Sequence, residues 1–185
     1  VKDCPQLNTI PSLLQNLELE QIDLFNLDLT SFPTLGQADS LWFLSLRNLA
    51  ISDVPRDLNN LKNLKNILFV ENEVELPKFP NVDSLLELES INIRGIDSAG
   101  FSSFSELPNL SNQTKLRSLQ VYQNSKLGEI PGIENCDSLR TLLAWSCAFD
   151  SLPKVENLEN LVDLRIYGNE IKQLPNLGSL INLEI

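Results

Sequence analysis

Apolar residues recur along the chain in one phrase, Leu-x-x-Leu-x-Leu, with an apolar residue, Asn or Cys three places on. The phrase opens at Leu19, Leu41, Leu64, Leu88, Leu116, Leu139, Leu161 and Leu183, in steps of 22, 23, 24, 28, 23, 22 and 22 residues. Inside each phrase apolar and polar positions alternate with period two, which predicts a short strand with one buried face. Recurrence at nearly constant length makes each phrase one coil of a stack, its strand pairing in parallel with those of its neighbours. In the coil from Leu161 the predicted inward set is Leu161, Leu164, Ile166, Asn169, Ile171 and Leu174. Pro33, Pro55, Pro77, Pro131, Pro153 and Pro175 follow most phrases. Proline fixes φ and lacks an N–H, so the return path is expected to be turns and extended segments, with helix only around Arg56 to Lys62.

This spacing is identified as a leucine-rich repeat, which implies an α/β repeat solenoid, the leucine-rich-repeat horseshoe. Its parallel sheet of short strands forms the concave face, and its convex side is helix-poor. The chain reads as a single array over residues 1–185, about seven full repeats between partial repeats at both ends. Val1 to Pro11 aligns with Val121 to Pro131, so the expectation is a piece of a longer array, with flanking repeats or domains of a parent chain as neighbours. One unit is longer by a stretch within Ile96 to Ser105, a Gly- and Ser-containing path that Phe101 and Phe104 are expected to anchor. Cys4 and Cys147 stand where other units carry Asn72, Asn124 and Asn169. An inward polar group there bonds the backbone of neighbouring coils, and a thiol is expected to serve in its place.

Phe32 to Leu46 and Leu174 to Leu183 resemble the Leu-Pro-x-Leu-Gly-x-Leu-x-x-Leu run of plant intracellular nucleotide-binding leucine-rich-repeat immune receptors. Asp3-Cys4-Pro5-Gln6-Leu7 and Glu134-Asn135-Cys136-Asp137-Ser138-Leu139 resemble further phrases of that family. The resemblance implies a cytoplasmic segment that senses a pathogen protein or restrains a switch domain. No Gly-x-x-x-x-Gly-Lys-Ser/Thr occurs, so any nucleotide switch lies outside these residues. Leu127-Gly128-Glu129-Ile130-Pro131 resembles instead the phrase of plant extracellular arrays, which implies an alternative, a carbohydrate- or glycoprotein-binding array. Another alternative is a structural protein whose array ends stack into fibres.

A net charge of -11 is the wrong sign for neutralising phosphates, so nucleic acid is not an expected partner. The longest run of large apolar residues, Ile67 to Val70, is far short of the ~20 residues of a membrane-spanning helix. The chain has no His, which removes the usual general base and the common zinc ligand sets. Carboxylate pairs remain, Glu71 with Glu89 or Asp163 near Arg165, but an open face gives them little desolvation. The expectation is therefore no enzyme, no cofactor and no metal. The three cysteines, Cys4, Cys136 and Cys147, are too few for a disulfide framework but leave room for one bridge.

What remains is recognition. Alternation places Gln21, Asp23 and Phe25 outward on the first strand, and the matching residues of the others likewise. Both Trp and both Tyr of the chain fall in these segments, and Tyr122, Trp145 and Tyr167 share one slot in three consecutive units. At about 4.8 Å between strands they are expected to form a continuous ladder. Arg47, Arg94, Arg117, Arg140 and Arg165 fall there too. Trp, Tyr and Arg dominate binding hot spots, so the candidate partner-binding residues are Trp42, Phe43, Arg47, Arg94, Arg117, Gln120, Tyr122, Arg140, Leu143, Trp145, Arg165 and Tyr167. The carboxy-terminal half of the face is expected to be basic and aromatic, suiting a protein or peptide ligand that is acidic or glycosylated.

Overall fold

A computed structural model of the chain describes residues 1–10, 18–29, 31–32, 34–35, 38–51, 57–72, 78–95 and 104–184. Among these, seven strands form one parallel sheet in chain order: β1 (Gln21–Leu27), β2 (Phe43–Leu49), β3 (Asn66–Val70), β4 (Ser90–Arg94), β5 (Ser118–Gln120), β6 (Thr141–Leu143) and β7 (Asp163–Arg165). Gln21, Phe43, Asn66, Ser90, Ser118, Thr141 and Asp163 lie side by side, at the intervals the leucine phrases set. The return path carries single 3-10 turns at Leu58–Asn60 and Ile133–Asn135. The helix expected near Arg56 to Lys62 is thus one tight turn; Arg56, like Pro33, Pro55 and Pro77, lies outside the described residues.

Leu41, Leu64, Leu88, Leu116, Leu139 and Leu161, the first leucines of successive phrases, are all fully buried. The long unit contributes Phe104, whose ring meets Phe69 and Phe79 edge-on at 5.9 and 5.2 Å; residues 96–103, Phe101 among them, lie outside the described chain. Two inward expectations fail at the first and last coils. Leu174 is 57% exposed and Cys4 is exposed, its thiol turned back to the Lys2 carbonyl. A coil's inward groups are covered by the coil beside it, and none is described beyond these two.

The inner polar row does what its chemistry suggests. Asn124 Nδ2 donates to the carbonyls of Ile93, Val121 and Tyr122, and its Oδ1 accepts the Phe104 N–H. Asn169 Nδ2 donates to Ala144, Ile166 and Tyr167, and Oδ1 accepts from Cys147 and Phe149. Cys147 fills the same slot between them: its Sγ donates to Val121 O at 3.0 Å and Trp145 O at 3.6 Å. Just before this row the chain turns through positive φ at Asn26, Asn48, Glu71, Gln123, Ser146 and Gly168. At Gly168 a Cβ would come within 3.0 Å of Ser146 Oγ, so glycine suits both the left-handed angle and the space.

Candidate functional site

One row of outward side chains runs along the carboxy-terminal ends of the strands: Phe25, Arg47, Val70, Arg94, Tyr122, Trp145 and Tyr167. Its last three members are the expected ladder. Trp145 stacks on Tyr122 at 4.6 Å with the ring planes 12° apart, and on Tyr167 at 5.4 Å and 10°. Arg94 extends the stack, its guanidinium carbon 5.8 Å from the Tyr122 ring centre. The backbone beneath explains the parallel planes. Gly95, Gln123 and Ser146 donate their N–H groups to the carbonyls of Tyr122, Trp145 and Tyr167. Asn124, Cys147 and Asn169 bond those same three carbonyls from inside. Every rung is therefore held on both sides in one conformation.

The sequence reading misses how the arginines are used. Arg47 Nη2 holds Asp23 at 2.9 Å and its Nε reaches Ser45 Oγ, covering Ser45 almost completely although that residue points outward. Arg94 holds Glu71 at 2.8 Å and Gln123 at 2.9 Å. Arg165 Nε holds Asp163 Oδ1 at 3.0 Å, which keeps its guanidinium charged even more firmly than usual. Glu71 and Glu89, expected as a carboxylate pair, face Arg94 and Lys65 instead. Opposite charges on the same or adjacent strands neutralise one another, so three of the five arginines, Arg47, Arg94 and Arg165, are compensated.

Arg117 and Arg140 remain exposed, without an acidic partner among the described residues. They are not in strands: each immediately precedes one, β5 or β6. Five residues at ~3.3 Å each put them about 16 Å from the ladder, so basic and aromatic groups occupy opposite ends of the strands. Gln120 and Leu143 lie between, on β5 and β6. Gln120 is bonded to Asn92 and Ser118, making a neutral amide strip beside the rings. Trp42 and Phe43 form a separate tilted pair, 5.8 Å apart, at the start of β2.

No protein-family profile matches the chain. A curated protein of Podospora anserina named adenylate cyclase is 35% identical in an alignment of 182 positions that covers 92% of this chain and 8% of that protein. Among solved structures, a leucine-rich-repeat protein of Leptospira interrogans superposes with a TM-score of 0.82 at 23% identity, covering 97% of this chain and 45% of that one. The plant peptide hormone receptor RGFR1, solved in complex with RGF2, gives 0.67 at 19% identity over 95% of this chain and 32% of the receptor. None of these three is an intracellular nucleotide-binding immune receptor. In fold, the chain is a leucine-rich-repeat solenoid.

Proposed function

We propose that the chain is a non-catalytic recognition module that holds a protein or peptide on its concave face, through the row Arg94, Tyr122, Trp145 and Tyr167. The observation that carries this reading is the parallel stack of rings, built on the solvent side of the sheet where the core does not require it. Stacked rings have lost their freedom before a partner arrives, which favours tight binding. Trp145 is covered on both faces, so contact is made by ring edges, tyrosine hydroxyls and the indole N–H. Such groups suit a peptide backbone and apolar side chains. A sugar needs an open ring face to lie on, and of the three rings Tyr167, 62% exposed, is the one stacked on a single side, so the carbohydrate alternative is the weaker one. Among the described arginines, charge pairing likewise leaves Arg117 and Arg140 to favour an acidic ligand.

A receptor of this fold was solved with a peptide ligand, which supports the class of partner. The cyclase match concerns 8% of that protein, and its name says nothing of what this segment does. The test compares immobilised parent chain with a Tyr122→Ala/Trp145→Ala variant of unchanged far-UV circular dichroism, reading bound proteins by quantitative mass spectrometry. Capture of the specific partner is expected to fall about tenfold or more. Undiminished capture rejects the ladder as the contact. Sedimentation velocity addresses end-to-end stacking: a coefficient independent of concentration is expected, and growth with concentration favours the structural alternative.

A further inference from the structure

Twice among the described residues the chain assembles the same three-part contact, an outward ring, a carboxylate and a guanidinium touching both. Arg47 lies 5.0 Å from the Phe25 ring centre while holding Asp23 at 2.9 Å. Arg94 lies 5.8 Å from the Tyr122 ring centre while holding Glu71 at 2.8 Å. Around Trp42 the ring and the carboxylates recur without the guanidinium. Trp42 precedes β2 and sits between Glu20 and Lys65 of the adjoining coils. The carbonyls of Glu20, Trp42 and Lys65 each accept two N–H groups from the next coil, which sets the three side chains at the spacing of the sheet. A groove opens there, walled by Asp39, Asn63, Glu87 and Glu89. Glu89 and Glu87 are held by Lys65 and Lys115. Glu20 and Asp39 are exposed and, among the described residues, meet no cation; the Trp42 ring pairs with the Phe43 ring, and no described Arg or Lys stacks on it.

We infer that this groove receives an arginine side chain of a partner protein, the guanidinium lying on Trp42 between Glu20 and Asp39. A guanidinium is flat and weakly hydrated, so it stacks on an indole and forks onto carboxylates, a combination no other side chain matches. The chain's net charge of -11 draws cationic segments toward it. The groove lies at the strand ends opposite the ring ladder, and its argument stands apart from that site.

The test is a titration of the isotopically labelled chain with the peptide acetyl-Gly-Arg-Gly-Arg-Gly-amide at low salt, following the two indole N–H resonances, assigned with Trp42→Phe. The Trp42 resonance is expected to move and the Trp145 resonance to stay. The same peptide with Gln for Arg is expected to move neither. Glu20→Gln/Asp39→Asn, which leaves the core untouched, is expected to weaken the arginine peptide by about fivefold or more, and Trp42→Leu to do likewise. Tyr122→Ala/Trp145→Ala is expected to bind it as the parent does, which separates failure of this groove from failure of the ladder. A motionless Trp42 resonance, equal binding of the Gln peptide, or full affinity in the double carboxamide variant overturns the inference.

Discussion

The first two strands and the last three close the same inner turn by different chemistry. β1 and β2 run seven residues each and end on Leu27 and Leu49, which pair with one another in the core. β5, β6 and β7 run three residues each, and the matching inner positions are Asn124, Cys147 and Asn169. Where the inner residue is leucine, burial and backbone pairing carry the turn, helped at Leu49 by the Asn72 amide of the next coil, which bonds Leu49 N–H and Leu46 O, and the strand continues through it. Where it is asparagine, one amide supplies bonds that the ladder would otherwise make, and the strand stops early. The polar version brings a functional consequence, because its bonds end on the carbonyls of Tyr122, Trp145 and Tyr167. The rings are stacked in the region whose inner row is polar; in the leucine region an arginine lies on a phenylalanine instead.

The largest expected effect comes from removing that polar row. Asn124 is fully buried and serves three carbonyls and one N–H. Asn124→Ala should cost about 3 kcal/mol, since the buried Ile93 carbonyl and Phe104 N–H lose this partner, while Tyr122 O and Val121 O keep Gly95 N–H and Cys147 Sγ. Asn124→Leu, which imposes the chemistry of the first coils, should still cost about 2 kcal/mol in urea unfolding. A leucine variant as stable as the parent breaks the comparison, because the two inner rows would then be interchangeable.

A smaller effect of opposite sign is expected at Gln113. It occupies a return-path slot filled by Leu61, Leu85 and Leu158 in other coils, and it is 1% exposed. Its Nε2 donates to Val82 O, but its Oε1 has no partner among the described residues. Gln113→Leu removes an orphaned acceptor and gains apolar burial, at the loss of one hydrogen bond. The net should be a stabilisation of about 1 kcal/mol, read as a higher urea midpoint at unchanged slope. A lowered midpoint would mean that the Val82 bond matters more than the orphaned oxygen, and that polar groups hold the return path as well as the inner row.

Sequence alone makes the register legible, because strand spacing equals leucine spacing and a slip of one residue would turn every buried side chain outward. The ring ladder is legible for the same reason, and so is Cys147 in an asparagine slot. The fate of the arginines is not. Whether Arg47 reaches Asp23 or solvent depends on rotamers chosen by the neighbouring coil, although writing the units in register would already have set Asp23 diagonal to Arg47. The Trp42 groove escapes notice because Asp39 belongs to the return path, outside the alternating phrase. Ring orientation is invisible too, yet it decides between faces and edges as the contact.

The Asp23 cluster gives the leucine region its own pH signature. Burial alone would raise the Asp23 carboxyl, but hydrogen bonds from Ser45 and Arg47 and the charges of Arg47 and Lys2 outweigh it and hold the carboxyl below its usual range. A depressed folded value stabilises above the unfolded value near 4, and that stability is lost as pH falls through the folded value. With the side chain 30% exposed, screening limits the effect to under about 1 kcal/mol. Asp23→Asn should therefore narrow the stability difference between pH 6 and pH 3. An unchanged difference would mean that the pair contributes nothing in solution.

The finest test asks whether a thiol truly serves in the polar row. Burial pushes the Cys147 thiol up to about 11, with a backbone bond from Asn124 drawing it back only in part. Burial, aided by Asp137 and Glu134, pushes Cys136 up to about 12. Cys4 is exposed. Thiolates are the species that alkylate, so iodoacetamide at pH 8 should modify Cys4 quickly and the other two only in denaturant, as read by intact mass. The same shifts make stability decline as pH rises past ~8.5, where the unfolded thiols release protons that the folded ones retain. If Cys147 instead reacts in the native chain as fast as Cys4, its coil opens readily. The middle rung under Trp145 is then held by the backbone bond from Gln123 alone, and the side-chain account of the ladder fails at its centre.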